Sequence, residues 1–308
     1  MTATRAVLPN AAIRALLSGV IDYAGLFPPA SLDLATVAAN YAAYRSSDDG
    51  WALGRLVVPA ARLEELAGLA RAIWQHHPMT QGGSRTPWLI SALVGADHGA
   101  DADRISAFNA AYGAHACVDS VETKGDAPDV IRELGARFAA LRQFVEIPLG
   151  EELETLLHII GEIGAFAKVR TGGVRADAIP STAEVARFLR GCADAGIAFK
   201  ATAGLHHPMR GEYSLTYEAD SPRGTMFGYL NVFVGAVRAR EGASLEELCR
   251  VLEARRMSAF GRGGLATTDA LDVPSRDAIA SARASFALSF GSCSFREPLD
   301  DLASLFAT

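Results

Sequence analysis

Two lysines carry the strongest chemical signal in the chain. Lys168 lies in Phe166-Ala-Lys-Val-Arg-Thr-Gly-Gly173, and Lys200 lies in Ile197-Ala-Phe-Lys-Ala-Thr-Ala-Gly204. Each is flanked by apolar residues in a short run with β character, and each run ends in a glycine turn. Lysine is almost never fully buried without a partner. Burial and a like charge nearby both favour the neutral amine. A neutral amine attacks carbonyls to form a Schiff base, whose iminium is an electron sink for making or breaking a C–C bond. The competing reading pairs each lysine with a carboxylate inside the fold, Asp119 for example. Two lysines on consecutive strands, each before a glycine turn, favour the chemistry.

Other residues at strand ends could serve the same reaction. Strand alternation puts Lys168, Arg170 and Gly172 on one face. Arg170 suits a carboxylate or phosphate on a substrate, held by paired hydrogen bonds, or else an ion pair to Asp119 or Glu146. Asp119 could shuttle protons at the carbinolamine and the substrate hydroxyl, and Glu122, just past the expected strand end, could replace it. Asp22 could orient a water or hydroxyl. Thr171, Gly172, Gly173 and Gly204, with the Gly291-Ser292-Cys293-Ser294 turn, could present backbone N–H groups and hydroxyls to an anion. His206 and His207 read as substrate-binding loop residues. An alternative makes one of them a metal ligand, although a catalytic metal wants three protein ligands and the spacing demands none.

The elements that must hold these residues alternate regularly. Strands are expected at about 20–26, 55–58, 87–94, 116–121, 143–147, 166–169, 197–202 and 287–290. Helical spacing falls between them, at about 32–44, 63–74, 104–112, 127–140, 151–163 and 181–195, with a closing helix at 299–306. Ser181 with Glu184, and Ser244 with Glu247, have the spacing of capping boxes. Residues 75–86 and 261–274 read as loops. Eight strands alternating with helices give a single TIM-type (β/α)8 barrel over 1–308. Residues 206–284 read as an insertion after the seventh strand: irregular to 223, helical over 224–240, 244–255 and 276–284. The apolar 226–240 stretch could be a lid, a subunit interface or a helix buried on the barrel, and burial is the favoured reading.

Composition sets outer limits. The chain has 308 residues, half of them apolar, a fifth charged, with net charge −6. No basic stripe points to nucleic acid, and no apolar run of 18 residues points to a membrane span. Met1 to Asn10 lacks an apolar signal core, so the expected location is cytoplasmic. Cys117, Cys192, Cys249 and Cys293 form no Cys-x-x-Cys pair, and are expected to be buried, reduced thiols.

In their order these segments resemble the deoxyribose-phosphate aldolase family, class I aldolases with a barrel fold. Lys168-Val-Arg-Thr-Gly172 is similar to the family's Schiff-base lysine turn. Phe199-Lys-Ala-Thr-Ala-Gly204 is similar to its second-lysine motif. Ile21-Asp-Tyr-Ala-Gly-Leu-Phe-Pro-Pro resembles its first strand, Leu56-Val-Val-Pro its second, Val118-Asp-Ser-Val its fourth, and Ser289-Phe-Gly-Ser-Cys-Ser its phosphate-holding turn. The resemblance implies Lys168 as nucleophile, Lys200 lowering its pKa and Asp119 moving protons, with no organic cofactor. The chain departs from the family at Phe144 or Glu146 (a lysine there), at Arg170 (a serine), at Leu205-His206-His207, and in the insertion. The expected activity is an aldolase-like lyase acting on a small carbonyl substrate with an anionic group, phosphate or carboxylate. A metal-dependent lyase, isomerase or hydrolase using His206 or His207, and a non-catalytic binding barrel, are the alternatives. A homo-oligomer is left open.

Overall fold

The computed structural model describes residues 11–76, 86–257 and 270–306. Eight parallel strands close into a barrel: β1 (Ile21–Tyr23), β2 (Leu53–Pro59), β3 (Trp88–Leu93), β4 (Ala116–Lys124), β5 (Arg142–Glu146), β6 (Phe166–Arg170), β7 (Phe199–Thr202) and β12 (Ala287–Ser292). They run around the barrel in sequence order, β12 closing between β7 and β1. This is the expected (β/α)8 fold. Its strands are rich in Val, Ile, Leu and Phe because parallel strands in a barrel are covered on both faces.

Helices surround the strands: α2 (Leu34–Arg45), α3 (Leu63–His76), α4 (His98–Tyr112), α5 (Pro128–Arg137), α6 (Leu153–Glu162) and α7 (Thr182–Ala195) follow the first six in turn. Both capping boxes form: Ser181 caps α7 and Ser244 caps α9 (Leu245–Glu253), each with its glutamate reaching back. Asp33 caps α2 through the Thr36 amide. An unforeseen helix, α1 (Ala11–Leu17), packs on α10 (Arg276–Ser285).

The segment after β7 is more ordered than its sequence suggests. An antiparallel hairpin, β8 (Gly211–Ser214) with β9 (Arg223–Met226), occupies part of the stretch expected to be irregular. It also takes the first residues assigned to a helix, since α8 runs only Tyr229–Arg240. All but two residues of α8 are buried, so the favoured burial reading holds rather than a mobile cover. Tyr229 stacks on Phe290 of β12 and its hydroxyl donates to the Pro298 carbonyl at 2.9 Å, fixing α8 to the wall. Short strands β10 (Arg256–Met257) and β11 (Ala270–Leu271) pair in parallel. Most of the expected loops at 75–86 and 261–274, together with Met1–Asn10 and His77, lies outside the described residues, while His76 ends α3. The cysteines are all free, Cys192 and Cys293 buried, Cys117 and Cys249 half-buried. No helix of the described residues is long and apolar enough to cross a membrane.

The register slips beside several site residues, around Asp22, before Ser289 and in β4, and the slip in β4 decides which acid meets the lysines. Between Ile90 and Ser91 of β3, the register against β4 jumps from Val118 to Ser120. The extra residue, Asp119, forms a bulge, which reverses the alternation along the strand. Asp119 and Glu122 therefore both reach the barrel interior, although strict alternation would put them on opposite faces. β4 also runs on to Lys124, so Glu122 lies within the strand and not past its end.

Candidate active site

The interior polar residues fall into two groups along the barrel axis. Arg55 of β2 and Asp119 lie toward the strand starts, joined by two hydrogen bonds of 2.7 and 2.5 Å. The sequence-based expectation that Asp119 moves protons at the lysine is thus corrected: its carboxylate is taken by Arg55 and it does not line the cavity at the mouth. The cause is the bulge, which leaves Asp119 below the lysines and raises Glu122 to meet them.

Lys168 and Lys200 are cross-strand partners on β6 and β7. Both are buried, at 4% and 1% exposure, and both are ion-paired. Lys168 Nζ lies 2.9 Å from Glu122 Oε2 and 2.8 Å from Glu146 Oε2. Lys200 Nζ lies 2.6 Å from Glu122 Oε1 and 2.6 Å from Asp22 Oδ2. One carboxylate thus bridges two amines. Hydroxyls and an amide complete the network: Ser91 donates to Glu122 at 2.9 Å, Ser289 to Asp22 at 2.7 Å, and the Arg55 amide to Asp22 at 2.8 Å. Glu146 alternates with Val145 in an unbroken register and faces inward without any bulge, whereas Ser289 follows a register slip between Ala287 and Ser289 of β12.

This geometry revises the argument from like charges. Three carboxylates face two amines, so each ammonium is matched and the cluster carries no excess positive charge. For Lys200, burial opposes the charge, but Asp22 and Glu122 outweigh it and raise its pKa above the ordinary lysine value of 10.5. For Glu122, burial is again opposed and overcome, here by Lys168 and Lys200, which hold its carboxyl far below the usual range. Glu146 is also lowered, Lys168 outweighing burial. Pairing with carboxylates, the reading set against catalysis at first, is therefore present, with Asp22, Glu122 and Glu146 in the place proposed for Asp119.

What distinguishes the two lysines is access. A cavity of about 360 Å³ opens at the C-terminal ends of the strands, and Lys168, Glu122 and Glu146 line it, whereas Lys200 and Asp22 lie beneath. Active sites of this fold occupy that end. Lys124 and Arg170 give one side of the mouth positive charge, and Phe27, Pro28, Pro29, Val57 and Leu93 make an apolar side. Arg170 is half-exposed, its Nε 3.7 Å from Glu146.

The glycine turns build the wall rather than merely linking elements. A Cβ on Gly172 would stand 3.0 Å from the Gly204 Cα, and one on Gly204 equally close to the Gly172 Cα. Ala203 and Gly204 both have positive φ, at 58° and 77°. Thr171 staples the two turns, donating to the Ala203 carbonyl at 2.6 Å. Gly173, Gly204 and Gly291 line the cavity; Thr171, Gly172, Ser292 and Ser294 do not. Ser292 and Ser294 are engaged internally. The Ser294 amide donates to Ser292 Oγ at 3.3 Å, and Ser294 Oγ accepts from the Glu297 amide at 3.1 Å, at the start of α11 (Arg296–Phe306). Their hydroxyls organise the turn rather than greet an anion.

His206 and His207 both line the cavity, each tied to an acid on α11. His206 Nδ1 lies 2.9 Å from Glu297 Oε2, and His207 Nδ1 lies 2.5 Å from Asp301 Oδ2. His207 also stacks on Tyr213 at 3.6 Å. Tyr217, from the loop of the β8–β9 hairpin, donates to Glu297 at 2.8 Å, so the insertion contributes a wall of the cavity. Among the described residues no group of three His, Cys, Asp or Glu side chains is placed to hold a metal ion.

Sequence reasoning missed Glu146 as a lysine partner, Glu297 and Tyr217. Glu146 had a signal, being inward-facing and last in its strand. Glu297 and Tyr217 had none, because both reach the cavity from elements outside the barrel.

Fold and site together define a (β/α)8 barrel with a lysine–carboxylate cluster at the mouth where such barrels do their chemistry. No protein-family model matches the chain, and no curated protein matches it.

Proposed function

We propose that the protein is an aldolase-like carbon–carbon lyase that forms a Schiff base on Lys168 with a small carbonyl substrate. The observation that carries this reading is the access of one buried amine, Lys168, to a 360 Å³ cavity while held between two carboxylates. The order of motifs resembling the class I deoxyribose-phosphate aldolases supports it.

The roles follow from geometry. The ammonium of Lys168 must lose a proton before it can attack. Glu146 Oε2, at 2.8 Å and on the cavity side, is the acceptor. The amine nitrogen adds to the carbonyl carbon, and the same carboxyl returns a proton to the departing hydroxyl, so water leaves and the iminium forms. Glu122 stays ionised between the two lysines and stabilises the iminium charge. Lys200 holds Glu122 and Asp22 in place from below. Arg170 and Lys124, at the mouth, receive an anionic group on the substrate. No organic cofactor enters these steps.

The test is reduction with borohydride in the presence of acetaldehyde, acetone or pyruvate, followed by peptide mass spectrometry. An adduct on Lys168, absent in Lys168→Met, is the expected result. An adduct on no residue, or only on exposed Lys124, refutes the reading.

A further inference from the structure

An aldol reaction needs proton transfer at two places. One is the amine and the carbon α to the iminium, whose proton passes to Glu146 as the C–H pair forms the enamine. The other is the oxygen of the second carbonyl partner. That oxygen is separated from the imine nitrogen by three carbons, so it falls against another wall of the cavity.

That wall is built by His206, Glu297, Tyr217 and Cys293. His206 is 7% exposed and lines the cavity. Its Nδ1 is occupied by Glu297 Oε2 at 2.9 Å, which leaves Nε2 for the cavity. Tyr217 donates to the same Oε2 at 2.8 Å, and the Ser294 hydroxyl fixes the start of α11 beneath Glu297. Such a carboxylate sets the tautomer and orientation of an imidazole. Cys293 Sγ lies 4.0 Å from both ring nitrogens, a long sulfur contact beside the ring. The other cavity groups are less suited. Glu122 and Glu146 are engaged with Lys168, Tyr217 spends its proton on Glu297, and His207 is stacked against Tyr213 at 3.6 Å.

We infer that His206, oriented by Glu297 and Tyr217, is the acid–base group for the oxygen of the second carbonyl partner. The inference rests on the Schiff-base reading. In the direction of addition, the enamine electron pair forms the new C–C bond to the acceptor's carbonyl carbon, and the iminium reforms on Lys168. The acceptor's C=O pair moves onto oxygen, which takes the proton from His206 Nε2. Water then hydrolyses the iminium. Cleavage is the reverse, with neutral His206 taking the hydroxyl proton as the C–C bond breaks. His206 is a catalytic residue in this scheme, and Glu297 and Tyr217 are positioning residues.

The charge state suits the addition direction. Burial disfavours the imidazolium, but contacts with Cys293 and Glu297 outweigh it and raise the His206 pKa to about 9. The titratable groups facing it are Cys293, Glu297 and Tyr217, with His207 and Asp301 adjacent.

The experiment compares parent, His206→Gln and Glu297→Gln enzymes in three assays. These are borohydride trapping with acetaldehyde, acetone or pyruvate, deuterium exchange at the donor's α-carbon, and addition of that donor to glycolaldehyde or glyoxylate. His206→Gln is expected to trap and exchange while addition falls by ~100-fold or more, the usual worth of a positioned acid. Glu297→Gln is expected to move the alkaline limb of addition below its parental position near pH 9. Addition within threefold of the parent in His206→Gln overturns the assignment, as does an unmoved limb in Glu297→Gln. Exchange in the parent without addition to either acceptor counts equally against it. Failure of the parent to trap at Lys168 is a separate outcome, and refutes the function on which the inference rests.

Discussion

Lys168 and Lys200 share a single carboxylate, each amine bonded to a different oxygen of Glu122, at 2.9 and 2.6 Å. The pair is thus one electrostatic unit, and changing one member alters the environment of the other. Only Lys168 meets the cavity, so the two substitutions should have different signatures.

Lys200→Met leaves Asp22 and part of Glu122 buried without a counter-charge. Removing one partner of a buried pair typically costs about 3–5 kcal/mol. The expected result is a lower urea midpoint with an unchanged slope. A midpoint equal to the parent's would show that Lys200 carries no structural charge.

Asp119→Asn separates the two interior polar groups. It weakens the paired bonds to Arg55, at a cost of about 1–3 kcal/mol, measured by denaturant unfolding. Borohydride trapping on the folded variant should match the parent. Loss of trapping in a folded Asp119→Asn would restore the proton-transfer role that its position argues against.

Glu122 links stability to acid. Its folded pKa lies far below the unfolded value of 4.5, so the stability it contributes is fully present above that value and is lost as pH falls below it. Lys200 works at the other end. Its folded pKa lies above 10.5, so its contribution is whole below that value and fades as pH rises beyond it. Glu122→Gln should therefore flatten the part of a stability–pH curve that lies below about pH 4.5. A curve that falls as steeply as the parent's would assign the acid limb to other carboxylates.

Gly204→Ala tests the turn that brings β6 and β7 together. The position has φ of 77° and a Cβ there would crowd Gly172. The left-handed conformation alone costs about 1–2 kcal/mol for a residue with a side chain, and the contact adds to it. Thermal unfolding should show the loss, and trapping at Lys168 should slow as the wall shifts. An unperturbed Tm would mean that the two turns are not in close contact.

The (β/α)8 architecture was legible because it rests on local patterns. Apolar runs such as Phe166–Val169 and capping signals such as Ser181 with Glu184 depend on neighbours a few residues away. The two lysines were legible for the same reason: a charged residue inside an apolar strand is anomalous wherever the strand goes. The hairpin Gly211–Met226 was not, since its strands are short, half-exposed and without a tight-turn signature.

What faces each lysine was decided by tertiary structure alone. A single-residue bulge at Asp119 exchanged the two acids of β4, sending one to Arg55 and the other to the amines. Glu297 came to His206 across 91 positions of chain, on a helix outside the barrel. Sequence fixes which groups point into a strand's face by counting in twos. It holds no record of where that count slips, or of which distant side chain the closed barrel brings within 3 Å, because both depend on how whole strands and helices settle against one another.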